Sequence, residues 1–480
     1  MKRPDLSEAF PERYSQPLEG LFRLFEARGR QLYLVGGCVR DMLLNLDTSD
    51  FDMATDAKPE ETSSILQEGG YPVIPLGMEF GTVGTLLKEK IPIEVQITTF
   101  RTGESYSRGS RHPDVMFGSD LVEDLKRRDF TVNCMAMDSN GRILDPLNGM
   151  EDIQAGILRT PLDPCDTFAE DPLRMLRAFR FACRLKFRID QDALQAVDEN
   201  HMLIRTISRE RWKMEMDQLL EVNDGAAVAR TLEDMKRCGL LQDMVPELKP
   251  VFQQTNLQQG PAHFGNIWQH TMKVIEGTPP DRCLRWAALL HDIGKPQCRS
   301  VDDEGTPHFY GHQNSGADLA GRVADSFRFS KKEKKCVVFL VQNHMRPVLY
   351  SSDWSDRAVR KLAREAGEHL RQLLLLARAD IDAHSEPYAS QGAERMNELE
   401  ERLLKLLPSE GERVLPRELG AILHGMVGSE LESASQVGVI LENLRELIHD
   451  GKLEKMQSPE YYLGNIRIGP DLKQSSEDLT

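Results

Sequence analysis

Segments typical of β-strands are confined to the first third of this 480-residue chain. QLYLVGG (31–37) predicts a strand that ends in a Gly-Gly turn, and VRDMLLN (39–45) predicts the helix that follows it. SDFDMAT, VGTLLKEK and IPIEVQITTF also have strand character, and charged turn residues separate the last two. From about Phe168 onward the pattern changes to one helix after another, as in PLRMLRAFRFACRL and AERMNELEERLLKLL. The sequence therefore predicts an α+β head followed by all-α domains.

The length predicts several domains, because 480 residues exceed what one ordinary hydrophobic core accommodates. Breaks are expected near residues 163–164, within the Gln- and Gly-containing stretch 253–265, and near 389–392. We expect an N-terminal helical segment (1–29), an α+β head (30–162), a helical neck and body (163–260), a second all-α domain (261–390) and a helical tail (391–480).

The net charge of −16 argues against an enzyme that grips any RNA, because phosphate binding generally needs a positive surface. Arginines nevertheless concentrate between Arg174 and Arg188, which allows a basic face on an acidic protein. No apolar run reaches the roughly 18–20 residues of a membrane span, and the N-terminus lacks the apolar stretch of a signal peptide. Eight scattered cysteines without a C-x-x-C pair predict reduced thiols. We therefore expect a cytoplasmic protein that does not associate with membranes.

Asp50-Phe51-Asp52 offers two carboxylates two residues apart in a strand-like segment. Side chains at i and i+2 of a strand share a face, and paired carboxylates suit Mg²⁺ ions that keep positions open for substrate phosphates. Glu94 lies in an otherwise apolar strand, where an unpaired charge is costly and a neighbouring metal would stabilise it. Solvated surface acids are the alternative for the pair. A salt bridge or an edge-strand position is the alternative for Glu94.

Gly36-Gly37 stands between the first predicted strand and its helix, a few residues before Arg40. Glycines let a triphosphate approach the backbone, and the start of a helix favours anions. Arg40 would add a charge-assisted contact. By itself, a Gly-Gly pair is equally compatible with a tight turn that binds nothing.

EDPLR (170–174) predicts the start of a helix in which Asp171 and Arg174 share a face. A carboxylate acceptor beside a guanidinium donor complements the Watson–Crick edges of C and A, which each present an amino group and a ring-nitrogen acceptor. G and U would leave buried groups unpaired, at a cost of about 1–3 kcal/mol each. Arg177 and Arg180 extend the same face towards a phosphate group. Lys126-Arg127-Arg128 adds positively charged side chains before an apolar strand. A local ion pair and a solvated basic face are the alternatives.

Five motifs follow one another along the first 182 residues: LVGGCVRD (34–41), SDFDMAT (49–55), RRDFTVNCMAM (127–137), DPLNG (145–149) and EDPLRMLRAFRFA (170–182). Their order and spacing resemble those of the class II tRNA nucleotidyltransferases and the related bacterial poly(A) polymerases, over roughly residues 30–220. The resemblance implies a polymerase-β-like head, followed by a helical neck, body and tail that hold tRNA.

The resemblance also implies a role for each matching residue. Asp50 and Asp52 would bind Mg²⁺, with Glu94 as a third catalytic carboxylate. The residues that would contact the incoming nucleotide are Gly37, Arg40, Arg128, Asp171, Arg174, Arg177 and Arg180. Asp171 and Arg174 among them would select C or A, whereas Arg177 and Arg180 would bind the triphosphate.

Two further features of the family match this sequence. Asp145 in DPLNG would help to couple movements of the head and neck. The stretch from Phe100-Arg101 through Tyr106 to Arg111-His112-Pro113 resembles the flexible loop that helps specificity change from C to A. The implied reaction is in-line attack of an RNA 3′-hydroxyl on the α-phosphate of CTP or ATP, in which positioning and electrostatics supply most of the rate.

Histidines and aspartates in the second all-α domain form an ordered set. Its members are His270, His291-Asp292, His312, His344 and Asp380. Such clusters bind divalent metals and activate water, and adjacent His and Asp in the apolar helix WAALLHDIGK need ligands or partners. A single histidine of this kind would equally be a satisfied core residue.

The ordered set resembles the HD phosphohydrolase superfamily over roughly residues 262–390. The resemblance implies His270, His291, Asp292 and Asp380 as ligands of a divalent transition metal or Mg²⁺, with His312 and His344 added if the site is binuclear. Phosphatase or cyclic phosphodiesterase activity on damaged RNA ends would follow. Asp382 and His384 lie close to Asp380 and leave the last ligand open, and Lys295 is either a phosphate contact or an exposed lysine.

The leading interpretation is CCA addition to tRNA from CTP and ATP, with a second hydrolytic domain. CC-only or A-only addition by one half of a split pair shares every motif. Poly(A) synthesis is a further alternative, although RRDFTVNCMAM and the acidic charge favour a tRNA enzyme. An interpretation of another class is an HD phosphohydrolase whose head only binds RNA. The tail (391–480) is expected either to contact tRNA or to pack against a partner, and the oligomeric state is left open.

Overall fold

The computed structural model describes residues 12–48, 50–87, 92–105, 114–253, 265–407, 415–427, 434–449 and 452–465. The loop residues Tyr106 and Arg111-His112-Pro113 lie outside these ranges. Among the described helices, none combines the length and the apolar character needed to cross a membrane.

The head is built on a mixed seven-stranded sheet with the strand order β3-β4-β5-β2-β1-β8-β9. The strands of the sheet are β1 (Leu32–Val35), β2 (Phe51–Thr55), β3 (Ile74–Pro75), β4 (Thr82–Leu87), β5 (Ile93–Thr99), β8 (Ala136–Met137) and β9 (Ile143–Leu144). Strands β2 and β5 are parallel, and every other neighbouring pair is antiparallel. A separate hairpin joins β6 (Arg101–Ser105) to β7 (Asp114–Phe117). The strands predicted in QLYLVGG, SDFDMAT, VGTLLKEK and IPIEVQITTF are therefore confirmed, whereas the apolar strand expected directly after Lys126-Arg127-Arg128 is wrong, because Thr131–Asn133 forms a short helical turn and the strand is only Ala136–Met137.

Apolar side chains cover the sheet on both faces. On one face, Leu21 and Phe25 of the first helix pack in one cluster with Met53 and Val95 of the sheet. On the other face, Val35, Ala54 and Ala136 pack with Phe100, Leu121 and Leu125. Burial of these side chains holds the sheet rigidly, so residues at the ends of β2 and β5 have fixed positions.

Helices dominate the chain after the head, as predicted. The helices of the head and neck are α1 (Glu12–Glu26), α2 (Gly37–Leu43), α3 (Pro59–Glu68), α4 (Leu121–Lys126), α5 (Gly149–Ala155), α6 (Pro164–Glu170) and α7 (Leu173–Leu185). Those of the body are α8 (Gln191–Asn200), α9 (Arg209–Leu220), α10 (Gly225–Arg237), α11 (Leu240–Met244) and α12 (Lys249–Gln253). Then follow α13 (Ile267–Gly277), α14 (Arg282–Leu290), α15 (His312–Ser326), α16 (Lys331–Asn343), α17 (Met345–Val348), α18 (Asp356–Ala366) and α19 (Leu370–Asp382). The last are α20 (Tyr388–Leu406), α21 (Arg417–Gly425), α22 (Ala434–His449) and α23 (Pro459–Leu463).

The helical part also contains short strands, which the sequence did not predict. Strands β10 (Ile157–Leu158) and β11 (Arg188–Ile189) pair in parallel, and β12 (Ser300–Val301) pairs with β13 (Pro307–His308) in a hairpin. Each has two residues, too few for periodicity to reveal. The polymerase-β-like α+β head and the all-α remainder are otherwise as expected.

Helices α9 and α14 join the body to the domain that follows it. The buried guanidinium of Arg285 donates hydrogen bonds to the carbonyl oxygens of Leu220 (2.6 Å), Val222 (2.5 Å) and Thr278 (3.0 Å). The indole Nε1 of Trp286 donates to Asp217 Oδ1 at 2.8 Å. Because the last carbonyls of a helix lack partners within it, Arg285 satisfies the C-terminal end of α9.

Two compact units divide the chain. One comprises 1–345 together with 375–389, and the other comprises 346–374 together with 390–480. The first unit contains the sheet and all the residues that the sequence singled out for chemistry. In the second, Arg402 donates to Tyr350 Oη at 3.0 Å and to Asp356 Oδ1 at 2.6 Å, which joins its α18 and α20 helices.

Candidate functional site

The first site is an open face formed by β2 and its parallel neighbour β5. Asp52 is exposed between the buried Phe51 and Met53, and it lies opposite Gln96. Glu94 is two residues before Gln96 and therefore shares that face. Asp50 immediately precedes β2 and is also exposed. The alternation of strand side chains thus brings the three predicted carboxylates to one accessible surface.

Glu94 differs from its expected setting. The sequence argument assumed a charge inside an apolar strand, but the Glu94 side chain is exposed while Ile93 and Val95 are buried. The cost of burial therefore does not explain this residue. It does not lie on an edge strand either, because β5 pairs with both β2 and β4.

The electrostatics of Asp52 favour a bound cation. Partial removal from water raises the pKa of Asp52, and the neighbouring Asp50 raises it further. Arg128 opposes this shift. Two like charges side by side, open to solvent, form a carboxylate pair whose ionised state a divalent cation would stabilise. The donor set therefore fits Mg²⁺, although the three carboxylates are not drawn together into one of the tight ligand groups found among the described residues.

The Gly36-Gly37 turn is shaped by Arg128. Gly36 has φ 76°, a conformation that favours glycine, and a Cβ there would lie 2.8 Å from Arg128 Nη1. The Arg128 Nη2 atom donates to Asp124 at 3.2 Å, whereas its buried Nε has no hydrogen-bond partner among the described residues. The turn and this guanidinium therefore meet beside Asp52.

Arg40 lies in a more enclosed position than expected for a nucleotide contact. Its side chain is buried, Nε and Nη2 donate to Asp41 Oδ1 at 2.8 and 2.6 Å, and Nη1 donates to Asn133 Oδ1 at 2.6 Å. The guanidinium also lies 5.0 Å from the Phe181 ring centroid. In this structure Arg40 joins α2 to α7.

Asp171 lies outside the helix that was predicted to carry it, and that prediction of the helix start is wrong. Helix α6 ends at Glu170 and α7 begins at Leu173, so Asp171 is extended, with φ −135° and ψ 97°. The reason is Pro172, because a proline disfavours the helical conformation of the residue before it. The Asp171 carboxylate accepts from Leu173 N at 3.1 Å through Oδ1, as a cap at the start of α7.

The guanidinium of Arg174 lies near Asp171 and is partly held. Nη1 donates to Glu170 Oε2 at 2.7 Å, and Nη2 donates to the carbonyl oxygen of Arg127 at 2.8 Å. Asp171 Oδ2 pairs with Arg211 at 3.0 Å. Asp171 and Arg174 therefore both lie at the junction of α6 and α7, and each is oriented by an ion pair with another residue.

Arg177 and Arg180 belong to a row of alternating charges. Arg177 Nη2 lies 2.7 Å from Asp129 Oδ2, and Nη1 lies 3.4 Å from Glu215 Oε1. Arg180 Nε donates to Glu215 Oε2 at 2.5 Å, and its guanidinium lies 4.1 Å from the Phe181 ring centroid. Arg177 is one-third exposed at its side chain, whereas Arg180 is buried. The two arginines are therefore not equivalent.

The pKa values reflect this row. Burial alone would lower the pKa of Arg177, but Asp129 and Glu215 raise it overall. Burial would raise the pKa of Asp129, yet Arg177 and the Asn133 hydrogen bond bring it below its ordinary value. Burial lowers the pKa of Arg180, and Glu215 opposes that shift. The Asp129 carboxylate thus stays ionised and fixes Arg177.

Sequence reasoning missed three residues that orient this site: Asp129, Arg211 and Glu215. Asp129 holds Arg177, and Arg211 holds Asp171. Glu215 holds both Arg177 and Arg180. The only signal was an acid, Asp129, in the apolar context of RRDFTVN, and an acid, Glu215, among the apolar positions of RERWKMEMDQLL.

Asp145 has a well-defined local role. Its Oδ1 accepts from Gly149 N at 2.8 Å and its Oδ2 accepts from Met150 N at 2.9 Å, at the start of α5. A Cβ on Gly149 would lie 2.3 Å from the carbonyl oxygen of Thr131, which explains the glycine. The part of the predicted flexible loop that is described begins with buried Phe100, and the Arg101 amide donates to Asp124 at 3.1 Å.

The second site is a buried cluster of histidines and aspartates. In one group, the ligand atoms of His270, His291 and Asp380 all lie within 4.8 Å of one another. In the adjoining group, Asp292, His312 and His344 meet the same condition. His291 Nε2 lies 3.2 Å from Asp292 Oδ2, which connects the groups.

Three of the histidines are oriented by backbone carbonyls. The Nδ1 atoms of His291, His312 and His344 lie 2.8, 2.8 and 2.7 Å from the carbonyl oxygens of Ala288, Phe309 and Val341. A carbonyl only accepts, so each Nδ1 donates and each Nε2 presents a lone pair to the cluster centre. The buried Nε2 of His291 makes no hydrogen bond in the described structure. This donor set fits one or two divalent metal ions.

The protonation states of three of the four histidines also suit a metal, whereas burial would lower the pKa of His291 but Asp292 raises it overall. Burial and the neighbouring His291 lower the pKa of His344 to about 4. Burial lowers the pKa of His270 and His312 as well, although nearby aspartates oppose it. Burial would raise the pKa of Asp380, but the His270 contact holds it well below its ordinary range. Neutral imidazoles and ionised carboxylates are the forms that bind metals.

The last ligand, left open between three residues, is Asp380 by position. Asp380 is buried and lies 2.9 Å from His270 Nε2, whereas Asp382 is exposed. The His384 Nδ1 atom lies 2.8 Å from the Asp380 carbonyl oxygen, outside both groups. Lys295 is not an exposed lysine, because it is buried with Nζ 2.6 Å from Asp292 Oδ2.

The expectation that His291 and Asp292 lie inside a helix is wrong. Helix α14 ends at Leu290, and the pair occupies the turn that follows. Gly294 explains the turn, because a Cβ there would lie 2.3 Å from the carbonyl oxygen of His312 and 2.5 Å from Gly316 N. The turn packs directly on α15 and brings Asp292 to His312.

Family comparisons agree with both sites. Residues 32–159 match the family described as "Poly A polymerase head domain", and residues 186–252 match "Probable RNA and SrmB- binding site of polymerase A". Residues 263–407 match the HD domain family. A CCA-adding enzyme of Bacillus licheniformis is 40% identical over 224 residues, which are 47% of this chain and 54% of that relative. Parts of the chain thus match the poly(A) polymerase head family and the HD domain family, and the chain is similar to CCA-adding enzymes over about half of its length. The resemblance of the five motifs is thereby confirmed.

Other relatives show the same similarity. A CCA-adding enzyme of Geobacillus stearothermophilus is 41% identical over 280 residues, 58% of this chain and 63% of that relative. The chain thus spans little more than half the length of the curated relatives it matches. The crystal structure of the Bacillus stearothermophilus CCA-adding enzyme in complex with CTP aligns with a TM-score of 0.64 and 25% identity, over 95% of this chain and 98% of that one.

A solved structure of lower sequence identity is similar to this chain in fold alone. The Thermotoga maritima CCA-adding enzyme complexed with tRNA_CCA aligns with a TM-score of 0.54 and 19% identity, over 96% of each chain. The comparisons therefore agree with the predicted nucleotidyltransferase fold and with the presence of an HD domain.

Proposed function

We propose that this chain adds C and A nucleotides from CTP and ATP to the 3′ end of tRNA, without a nucleic-acid template, and so builds or repairs the CCA terminus. The observation that carries the proposal is the open face of Asp50 and Asp52 beside the Gly36-Gly37 turn and Arg128. Its support is the 25% identity to a CCA-adding enzyme solved with CTP, over 95% of this chain.

Asp50 and Asp52 are the residues proposed to hold Mg²⁺, with Glu94 on the same face as a third carboxylate. Magnesium bound there would supply activation of the attacking 3′-hydroxyl and stabilisation of the pyrophosphate leaving group. The buried neighbours Phe51 and Met53 fix the strand, so the carboxylates need not reorganise when substrate binds.

Arg128 and Arg177 are the proposed contacts for the triphosphate. Each has a guanidinium oriented by a carboxylate, Asp124 for Arg128 and Asp129 for Arg177, which reduces the entropy lost on binding. Gly37 would let phosphate approach the backbone. Arg40 and Arg180 are buried, and we propose that they support this surface from beneath.

Asp171 and Arg174 are the proposed readers of the base. The Asp171 carboxylate would accept from the amino group of C or A, and Arg174 would donate to the ring nitrogen. In this structure Arg211 and Glu170 hold the two side chains at 3.0 and 2.7 Å, so base binding would exchange half-buried ion pairs for hydrogen bonds to the nucleotide.

We propose a second activity, metal-dependent phosphohydrolysis, for the HD domain. His270, His291, Asp292 and Asp380 would hold a divalent transition metal or Mg²⁺, and His312 and His344 would hold a second ion. Metal bound there would supply a water of lowered pKa as nucleophile. The specific support is the pair of adjoining three-ligand groups, all of them buried.

Incorporation of labelled CTP and ATP tests the first activity. Purified full-length protein receives tRNA transcripts that end before CCA, after C and after CC, beside a non-tRNA RNA. Addition of C, C and A followed by a stop is the expected result, and Asp50→Ala should abolish it while Asp47→Ala, an exposed acid just outside the motif, should not. Only CC or only A would indicate one half of a split pair, and long A tracts on any RNA would indicate a poly(A) polymerase.

Phosphate release tests the second activity. It also tests the alternative function, an HD phosphohydrolase whose head only binds RNA. RNA bearing a 3′-phosphate or a cyclic phosphate is incubated with each divalent metal in turn. We expect metal-dependent hydrolysis that His291→Ala removes and that the exposed control Asp382→Asn leaves intact. Hydrolysis without any incorporation would overturn the first proposal and leave a phosphohydrolase with an RNA-binding head.

A further inference from the structure

The hairpin of β12 and β13 is held in a defined shape next to the HD cluster. Asp302 Oδ1 accepts from the amides of Glu304 and Thr306 at 3.1 and 2.8 Å, which closes the turn. Asp302 Oδ2 lies 2.8 Å from His308 Nε2. The orientation of the His308 ring is therefore fixed by the contact of its Nε2 atom with Asp302.

Tyr310 stacks on that fixed ring. The ring centroids of His308 and Tyr310 are 5.2 Å apart and the ring planes differ by 9°, an offset-stacked pair. Tyr310 is nevertheless 77% exposed, which makes it one of the most exposed large side chains among the described residues. One face of its ring rests on His308, and the opposite face is open to solvent.

This aromatic pair leads directly into the HD cluster. Tyr310 is two residues before His312, so their Cα atoms are at most about 7.6 Å apart. Between them, the Phe309 carbonyl oxygen orients His312 Nδ1 at 2.8 Å, and Lys295 Nζ lies 5.6 Å from the Phe309 ring centroid. The exposed Tyr310 ring thus stands two residues along the chain from His312, a member of the cluster.

We propose that Tyr310, backed by His308, stacks on the nucleobase of the nucleotide or RNA end that the HD domain is proposed to hydrolyse. The inference rests on the proposed phosphohydrolase function and adds a base-binding residue to it. Aromatic side chains bind bases by stacking because every base has a π-face, whichever its sequence. A ring already immobilised by His308 and Asp302 loses little entropy on binding.

AMP and ribose 5-phosphate form the matched pair of ligands that tests this stacking, because they differ only in the base. Their binding to the full-length protein is measured by titration calorimetry for the wild type and for Tyr310→Ala. We expect roughly 5- to 100-fold weaker AMP binding at the HD domain in Tyr310→Ala, with unchanged ribose 5-phosphate binding. Tyr310→Phe keeps the ring and should bind AMP as the wild type does.

Val301→Ala is the control on the same hairpin, because Val301 is an exposed apolar residue of the partner strand. It should leave both ligands unaffected. Unchanged AMP binding in Tyr310→Ala, or an equal loss for AMP and ribose 5-phosphate, overturns the inference. Hydrolysis is assayed in parallel with the His291→Ala variant, so a chain that binds AMP through Tyr310 but hydrolyses nothing would refute the proposed phosphohydrolase function and not the stacking.

Discussion

Glu215 is the residue whose replacement tests most directly how Arg177, a proposed triphosphate contact, and the buried Arg180 are held. Its carboxylate is buried, with 8% of the side chain exposed, and it joins Arg180 Nε at 2.5 Å to Arg177 Nη1 at 3.4 Å. Arg177 has a second carboxylate partner, Asp129, whereas Glu215 supplies the ion pair of Arg180 found in the described structure. Removal of Glu215 therefore leaves one buried guanidinium without an anion.

The free energy lost on replacement of Glu215 follows from this difference between Arg177 and Arg180. Loss of one partner of a buried ion pair costs about 3–5 kcal/mol, because the remaining charge stays desolvated. We expect Glu215→Ala to destabilise helices α7 and α9 by about this amount. Glu215→Gln keeps an oxygen acceptor of similar shape and loses only the charge, so we expect about 1–3 kcal/mol.

Hydrogen exchange measures this change locally, which suits a chain with several domains. Amide protection in residues 173–185 and 209–220 is compared between wild type, Glu215→Ala and Glu215→Gln, and the KM for CTP and ATP is measured in the same preparations. We expect lost protection in both helices and a raised KM, since Arg177 loses one of its two supports. Glu210→Gln, an exposed position on the same helix, is the control and should stay within about 0.5 kcal/mol of wild type. Wild-type protection in Glu215→Ala would refute the argument that this carboxylate holds the arginines.

Three further perturbations have signs that the structure determines. Gly36→Ala places a Cβ against a guanidinium at a φ of 76° and should abolish incorporation, whereas Gly29→Ala, which has a φ of 68° but open space, should only lower the melting temperature slightly. Asp145→Ala removes the cap of α5 and should cost about 0.5–2 kcal/mol of helix stability, seen as faster amide exchange over 149–155. Burial would raise the pKa of Glu333, but the Lys213 hydrogen bond lowers it to about 2, below its ordinary 4.5. The stabilisation from Glu333 is therefore complete above pH 4.5 and is lost as the pH falls towards 2. We expect Glu333→Gln to lower the free energy of unfolding by about 1–2 kcal/mol at pH 7 after solvent screening. The difference in melting temperature between wild type and Glu333→Gln should therefore shrink below pH 4.5. A gap that is equal at pH 7 and pH 3 would contradict this assignment.

Much of the head could be predicted because its chemistry depends on short-range pattern. The i, i+2 spacing of Asp50 and Asp52 determines that they share a strand face, whatever packs behind them. The glycines at 36 and 37 and the extended Asp171 before Pro172 have equally local causes, although the latter was not recognised and the start of α7 was placed too early. In the HD domain, the order of six ligand residues was sufficient to predict the set that the structure assembles.

What could not be predicted depends on contacts between distant residues. Arg177 pairs with an acid 48 positions earlier and with another 38 positions later, and no local pattern identifies such partners. The burial of Arg40 follows from its adjacent Asp41 and from distant Asn133, against the general rule that arginine is exposed. Glu94 was placed correctly in a strand, but its exposure depends on which face of β5 the first helix covers.

The contact of Arg285 with the end of α9 has a consequence for how the gene product can be divided. The matched families separate between residues 252 and 263, which suggests two modules that could be cut apart. Two backbone carbonyls at that helix end, those of Leu220 and Val222, are nevertheless satisfied by an arginine from the far side of the cut, and Trp286 is fully buried beside it. A shortened protein that stops at the family boundary would expose this surface and unravel the last turn of α9, the helix that carries Arg211 and Glu215. The HD domain is thus part of the scaffold of the body that precedes it, and insoluble or inactive fragments from such a cut would reflect a shared folding unit and not the loss of a catalytic group.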